Sequence, residues 1–308
     1  MNSVLKKITV IAAIGLAAGL IGTYSIYAST SHSVFSSFNK SKETVLYTEK
    51  TFSSDSLKSV ELTSDTADIT VKKSNGPETR VVLEGQKGDK KDYSIQAEQN
   101  GGVLDVDVIG KNKFFNMGFH WSPKLTVYVP DKNYGHFNIS TDTGDVSIKD
   151  LKSDRANIET DTGDIEASGK FTVSKLNAES DTGDLSFNDY RGTSIDLSTD
   201  TGDIQAGRLS KNAKVMIKTS TGDIQDLSME SASKDVHIES DTGNVELQMD
   251  QSPSDFKLRA SSDTGDVEVS PDWKVNYEEK SDHEAKGKAG QGGFSVTVKT
   301  DTGDIYLK

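Results

Sequence analysis

Residues 160–165 read TDTGDI, residues 199–204 read TDTGDI again, and residues 140–148 carry the same core in STDTGDVSI. A catalytic signature is needed once, or twice where two halves build one site. A structural unit can recur many times. Aligned on this tetrapeptide, the chain holds nine copies, which begin at Asp65 (DTAD), Asp142, Asp161, Asp181, Asp200, Ser220 (STGD), Asp241 (DTGN), Asp263 and Asp301. From Asp142 onward the steps are 19, 20, 19, 20, 21, 22 and 38 residues. The last step reads as two periods, with a worn copy near 281–284 (SDHE), and the step of 77 from Asp65 to Asp142 reads as close to four. A repeat of about 20 residues is a supersecondary unit that buries its apolar face only by stacking on its neighbours.

The flanks give the local structure. Four residues after each start stand Ile69, Val146, Ile165, Leu185, Ile204, Ile224, Val245, Val267 and Ile305, all aliphatic. Two residues further the positions are again apolar, except at Asp226. Three residues before each start lie Leu62, Ile139, Ile158, Ala178, Leu197, Ile217, Ile238, Ala260 and Val298. Apolar and polar residues alternate on both arms, which is the period of a β-strand on each side of a turn. Gly fills the third position of every copy but the first, where Ala67 stands. Glycine takes a positive φ at low cost, and Asp and Thr side chains bond nearby N–H groups.

The expected fold is all-β: a β-solenoid, β-helix-like, with coils of about 20 residues and DTGD at the corners. Equivalent residues would stack about 4.8 Å apart, and eight or more coils would span about 40 Å. The alternative is an antiparallel array in which each motif is a hairpin tip. Residues 45–135 are less regular and read as diverged coils or a β-cap, residues 136–308 as the regular solenoid, and the polar stretch 278–293 as a surface loop.

The N-terminus differs in kind. Residues 8–28, ITVIAAIGLAAGLIGTYSIYA, follow Lys6 and Lys7, are uncharged, and are long enough as one helix to cross a bilayer. Residues 1–28 read as a single-pass anchor or a signal segment. A cut after Ala28 would release a secreted protein, but Ile26 makes it a poor cleavage site. In both cases the lysines stay inside and the body is exported. Residues 29–44 are Ser-rich and read as a polar tether.

Composition excludes several functions. The 308 residues include no cysteine, which removes disulfides, thiol catalysis and zinc–thiolate sites. Net charge is −13, and beyond residue 28 the chain has 33 basic against 48 acidic residues, a net of −15. Such a surface repels nucleic acid and bare anionic lipid. Asp-Thr-Gly is also an aspartic-protease signature, but that chemistry needs two carboxylates sharing one proton. Here the triplet recurs along the chain, with Asp or Asn after the Gly. The five histidines lack metal-ligand spacing, and no phosphate loop or nucleophile elbow is present. The expectation is a protein that is not an enzyme.

Two features remain as candidate sites. In a solenoid, Asp142, Asp161, Asp181 and Asp200 form one row and Asp145, Asp164, Asp184 and Asp203 another. Unit charges about 4.8 Å apart repel by roughly 0.9 kcal/mol even in water, so the rows need relief. Either each carboxylate accepts N–H groups of its own turn, or neighbouring carboxylates and turn carbonyls hold Ca²⁺. The stretch FFNMGFHW at 114–121 brings together Phe114, Phe115, Phe119 and Trp121, as a plug for one end of the solenoid or as a partner-binding or membrane-contacting loop.

Serial [ST]-D-T-G-D-[IV] turns, the upstream LTVYVP segment and one N-terminal apolar segment resemble the bacterial putative-adhesin family that includes LiaG. The resemblance covers about residues 45–308 and implies an exported, solenoid-like protein linked to envelope-stress functions, with no catalytic motif. Ser220, Asn244 and Ala67 depart from the pattern. The expectation is thus a membrane-anchored, extracytoplasmic, adhesin-like protein of the cell envelope. Its partner would be an envelope polymer or an envelope or membrane protein. A carbohydrate-active β-helix enzyme and a scaffold for a membrane stress-sensing complex are the alternatives.

Overall fold

Every DTGD-type corner joins a strand that precedes it to a strand that follows it, and equivalent arms of neighbouring coils pair in parallel. In the computed structural model, residues 44–86, 93–110, 122–211, 213–229 and 234–308 are described. They contain 25 strands. Among them no helix is long and apolar enough to cross a membrane; the apolar run 8–28, the tether 29–43 and the aromatic stretch 114–121 lie outside the described residues.

In spatial order the motif-bearing coils are 59–73, 134–149, 152–168, 171–191, 194–209, 214–229, 236–249, 294–307 and 256–269. The register is continuous: Ile158 pairs with Ile139 on one side and with Ala178 on the other. Parallel stacking excludes the antiparallel array of hairpin tips. Ile69, Val146, Ile165, Leu185, Ile204, Val245 and Ile305, which follow the corner, are all fully buried, and so are Ile139, Ile158 and Ala178 before it.

The stack departs from chain order at both ends, which corrects the reading of the two long steps. Coil 59–73 packs directly on coil 134–149, so the 77-residue step holds no run of intervening periods. Instead, strands Val103–Gly110 and Lys124–Val129 form a tenth coil outside it. Tyr93–Asn100 covers the first of these strands antiparallel, Glu78–Gln86 covers the second, and Thr44–Ser53 pairs with Glu78–Gln86.

At the other end the last coil of the chain, 294–307, inserts between 236–249 and 256–269. SDHE at 281–284 is therefore not a worn corner. It is the turn of an antiparallel hairpin, Asn276–Lys280 and Glu284–Ala289, laid on Phe256–Thr264. This turn still closes the corner column, because the Asp282 and His283 carbonyls accept the N–H groups of Val267 and Ser262. Pro271–Trp273 forms a short 3-10 turn whose buried indole meets Phe256 edge-on, 5.5 Å between centroids.

Asp226, the break in the apolar pattern, lies in a β-bulge. Its φ is 53°, the register slips between Ile224 and Leu227, and Leu227 takes the inward place opposite Leu247. One extra residue in a strand does this. In Phe171–Thr182 the consecutive exposed residues Ser174 and Lys175 shift the alternation and bend the strand. The bend gives the coil a short further wall, where Phe171 pairs with Tyr190 and meets Phe187 at 5.8 Å.

An ion-pair clamp ties three segments together. Asp131 bonds Lys73 and Lys152, each at 2.7 Å. Hydrogen bonds from Lys152 and then Lys73 bring its carboxyl from the ordinary 3.8 down to about 2. A depressed carboxyl adds stability above its unfolded value, and this is lost as pH falls through the folded value. Asp131→Asn should therefore shrink the fall in urea midpoint between about pH 5 and about pH 2.5. An unchanged fall would remove the clamp's role.

Candidate functional site

The corner is built from four positions, each with its own task. Thr160 pairs with Thr141 and Thr162 with Thr143, which places Asp161 over Asp142, and the same register continues along the stack. The glycines have φ between 139° and 155°. A Cβ built on Gly183 would lie 2.5 Å from the carbonyl carbon of Gly163 and closer still to its oxygen. Glycine is thus required twice over, by its backbone conformation and by the approach of the coil beneath. Ala67 escapes both demands, because its φ is not positive and its coil stacks on strands Val103–Gly110 and Lys124–Val129, not on another DTGD glycine.

The second acidic residue of each motif forms a ladder between coils. Asp145 Oδ1 accepts the Asp164 N–H at 3.0 Å, Asp164 accepts from Asp184 at 2.8 Å, Asp184 from Asp203 at 2.8 Å, and Asp203 from Asp223 at 2.8 Å. It continues through Asn244 and Asp304 to Asp266. The relief for these carboxylates therefore comes from the next coil, not from their own turn. Asn244 fits because an amide oxygen accepts the same bond. Burial, the largest influence, raises the Asp68 carboxyl, whereas the Asp266 N–H and then the Tyr306 hydroxyl lower that of Asp304.

A second ladder runs beneath. The residue before each motif is Ser or Thr in all nine copies, and every one is buried. The hydroxyls of Thr160, Ser180, Thr199, Thr219 and Ser240 donate to the glycine carbonyl of the preceding coil, at 3.0–3.3 Å. Sequence reasoning noted this Ser/Thr but gave it no role. Its invariance in an otherwise apolar inward column was the signal.

Asp142, Asp161, Asp181 and Asp200 are exposed, as are Asp145, Asp164 and Asp184, while Asp203 is half-buried. Among the described residues, no three His, Asp or Glu side chains converge to hold a metal ion. The rows form, with one of them committed to backbone N–H groups. Asp184→Asn should leave the thermal midpoint within a degree or two, because the Asn244 amide oxygen accepts the equivalent N–H at 2.9 Å. Asp184→Ala, which strands the Asp203 N–H, should cost about 1–2 kcal/mol. Equal midpoints for the Asn and Ala variants would exclude the ladder.

The outer faces carry ordered polar rows. Asn138, Asn157 and Asn177 stand in register, and the Asn177 amide donates to Asn157 Oδ1 at 2.8 Å. The row continues through Asp196, Met216 and His237.

Residues 57–308 match the family model described as Toastrack DUF4097. No curated protein matches the chain. Among solved structures, the chain is similar to a putative adhesin from Parabacteroides distasonis ATCC 8503, with 14% identity, TM-score 0.48, and 86% of this chain and 98% of that one covered. It is similar to a putative adhesin from Bacteroides fragilis NCTC 9343, with 14% identity, TM-score 0.42 and coverage of 87% and 98%. A third similar structure is a putative lipid binding protein from Parabacteroides distasonis ATCC 8503, with 14% identity, TM-score 0.43 and coverage of 85% and 96%.

Proposed function

Given that the chain belongs to the Toastrack DUF4097 family, we propose that its stacked coils serve as a rigid, adhesin-like binding surface. Residues 8–28 would hold this surface outside the cell membrane. The carrying observation is the set of outward rows in strict register, above all Asn138, Asn157 and Asn177. Side chains held at coil spacing on a hydrogen-bonded frame present contacts in fixed register, three of them alike, without the entropy cost of ordering a loop. That suits a repetitive partner such as an envelope polymer, or the flat face of an envelope protein.

Support for the exported site comes from the sequence: a Lys-Lys pair, an uncharged apolar run and a strongly acidic body behind it. The link to envelope stress rests on the resemblance of the repeat to the family that includes LiaG. The test is protease shaving of intact cells, followed by binding of the full chain to envelope fractions. Cleavage of the body in intact cells and saturable retention on envelope material are expected. Intact protein in the cytosol would overturn the reading. Turnover of a cell-wall glycan by the purified chain would replace binding with catalysis.

A further inference from the structure

One part of this acidic molecule is basic. On the outer face at the 256–269 end, Lys257 stands directly opposite Lys288 and Arg259 directly opposite Lys286 in an antiparallel pair. Like charges placed opposite one another destabilise a sheet. The two pairs are two residues apart, so they share a face and lie about 6–7 Å from each other along the strand.

The four cations line a groove of about 350 Å³ together with Gln291, Ser295 and Thr297. Glu278 is the single carboxylate among its described lining residues, and it reaches Lys286 at 3.8 Å. Such an exposed pair contributes little. Among the described residues, the charged heads of Lys257, Arg259 and Lys288 have no hydrogen-bond or ion-pair partner.

Glu279 stands opposite Lys286 in the hairpin, and two other nearby acids are engaged by N–H and hydroxyl groups. Asp255 accepts the N–H groups of Gln291 and Gly293, and Asp235 accepts the N–H and hydroxyl of Ser295. The fold thus concentrates like charge where its own bonding has no use for it, a local conflict expected at functional sites.

We propose that this groove binds an oligoanion carrying phosphate groups. A terminal phosphate presents up to two charges and a linked one presents a single charge, each with several acceptor oxygens, so a short run of about two to four phosphate groups satisfies the four cations. Arg259 offers a planar fork for phosphate oxygens. Gln291 and Thr297 can supply neutral hydrogen bonds beside it. The site deepens the binding reading above and rests on it for its setting, but its affinity is measurable alone.

The experiment is calorimetry on the full chain in nonionic detergent, with orthophosphate, tripolyphosphate and a poly(glycerol phosphate) oligomer as probes. Wild type is compared with Lys257→Gln/Lys288→Gln. Tripolyphosphate or the oligomer should bind at least about tenfold more tightly than orthophosphate and weaken as salt screens the charges. The double variant should lose at least about tenfold, with an unchanged or higher thermal midpoint because a like-charge pair is gone. Tighter binding of the oligomer marks a polymer as the source, and tighter binding of tripolyphosphate a small phosphate ester. Absence of wild-type binding to both multivalent probes, equal binding by the variant, or a variant that unfolds would each overturn the site. Failure to bind envelope fractions with groove affinity intact would instead overturn the broader reading alone.

Discussion

Gly183→Ala should destabilise the stack by about 3–5 kcal/mol. Its φ of 155° disfavours any Cβ, and the added carbon would meet the Gly163 carbonyl, which also accepts the Ser180 hydroxyl. Relief would require the corners of two coils to separate. That would break the Gly163 N–H bond to the Thr182 carbonyl and the Asp164–Asp184 link as well. A midpoint loss of roughly 10 °C or more follows for a body of this size. Gly76→Ala is the control, because nothing lies within 4 Å of the new Cβ and the backbone is unstrained there. Equal melting of the two variants would mean that the corners do not bear on one another.

Truncation after Gly293 should do still more damage. It removes coil 294–307, with Val296, Val298, Ile305 and Leu307 all buried. At about 1.5–3 kcal/mol per side chain this loss amounts to roughly 6–12 kcal/mol. Because the coil lies between two others, its absence also leaves two facing strand edges unpaired. Coil 256–269 and its hairpin should detach as a unit and become sensitive to protease, while the coils up to 229 stay folded. A protected fragment that still reaches Ala289 would show that the last coil is an outer layer and not a wedge.

These two cases mark what the sequence could and could not reveal. The coil itself was legible, because alternation around a fixed corner leaves one way to bury Ile165 or Leu185. The stacking order was not. Every coil presents the same kind of edge, so spacing cannot say which edge the next one takes. Residues 270–293 decide it: their hairpin occupies the free edge of Phe256–Thr264, and the last coil is left with the edge facing 236–249. The 38-residue step therefore looked like two periods by arithmetic alone.

At the corner, glycine and the acidic pair were legible, but the direction of the bonds was not. An Asp that caps its own turn and one that caps the next coil look alike in a single repeat. The difference lies in the register between coils. Asn244 was the clue, since it keeps the acceptor and drops the charge. The basic groove was invisible because its cations come from strands about 30 residues apart, in a chain whose total charge points the other way.

The corner's role is tested most directly by thermal unfolding of the full chain in chelator and in millimolar Ca²⁺, beside a variant with Asp145, Asp164, Asp184 and Asp203 all changed to Asn. If the column is a backbone ladder, wild type melts at the same temperature in both solutions and the variant is as stable or more so. A ligand at a hundred times its dissociation constant adds about 2.7 kcal/mol to the folded state. A clear rise in midpoint with Ca²⁺, abolished in the variant, would contradict the ladder and make the corners metal sites.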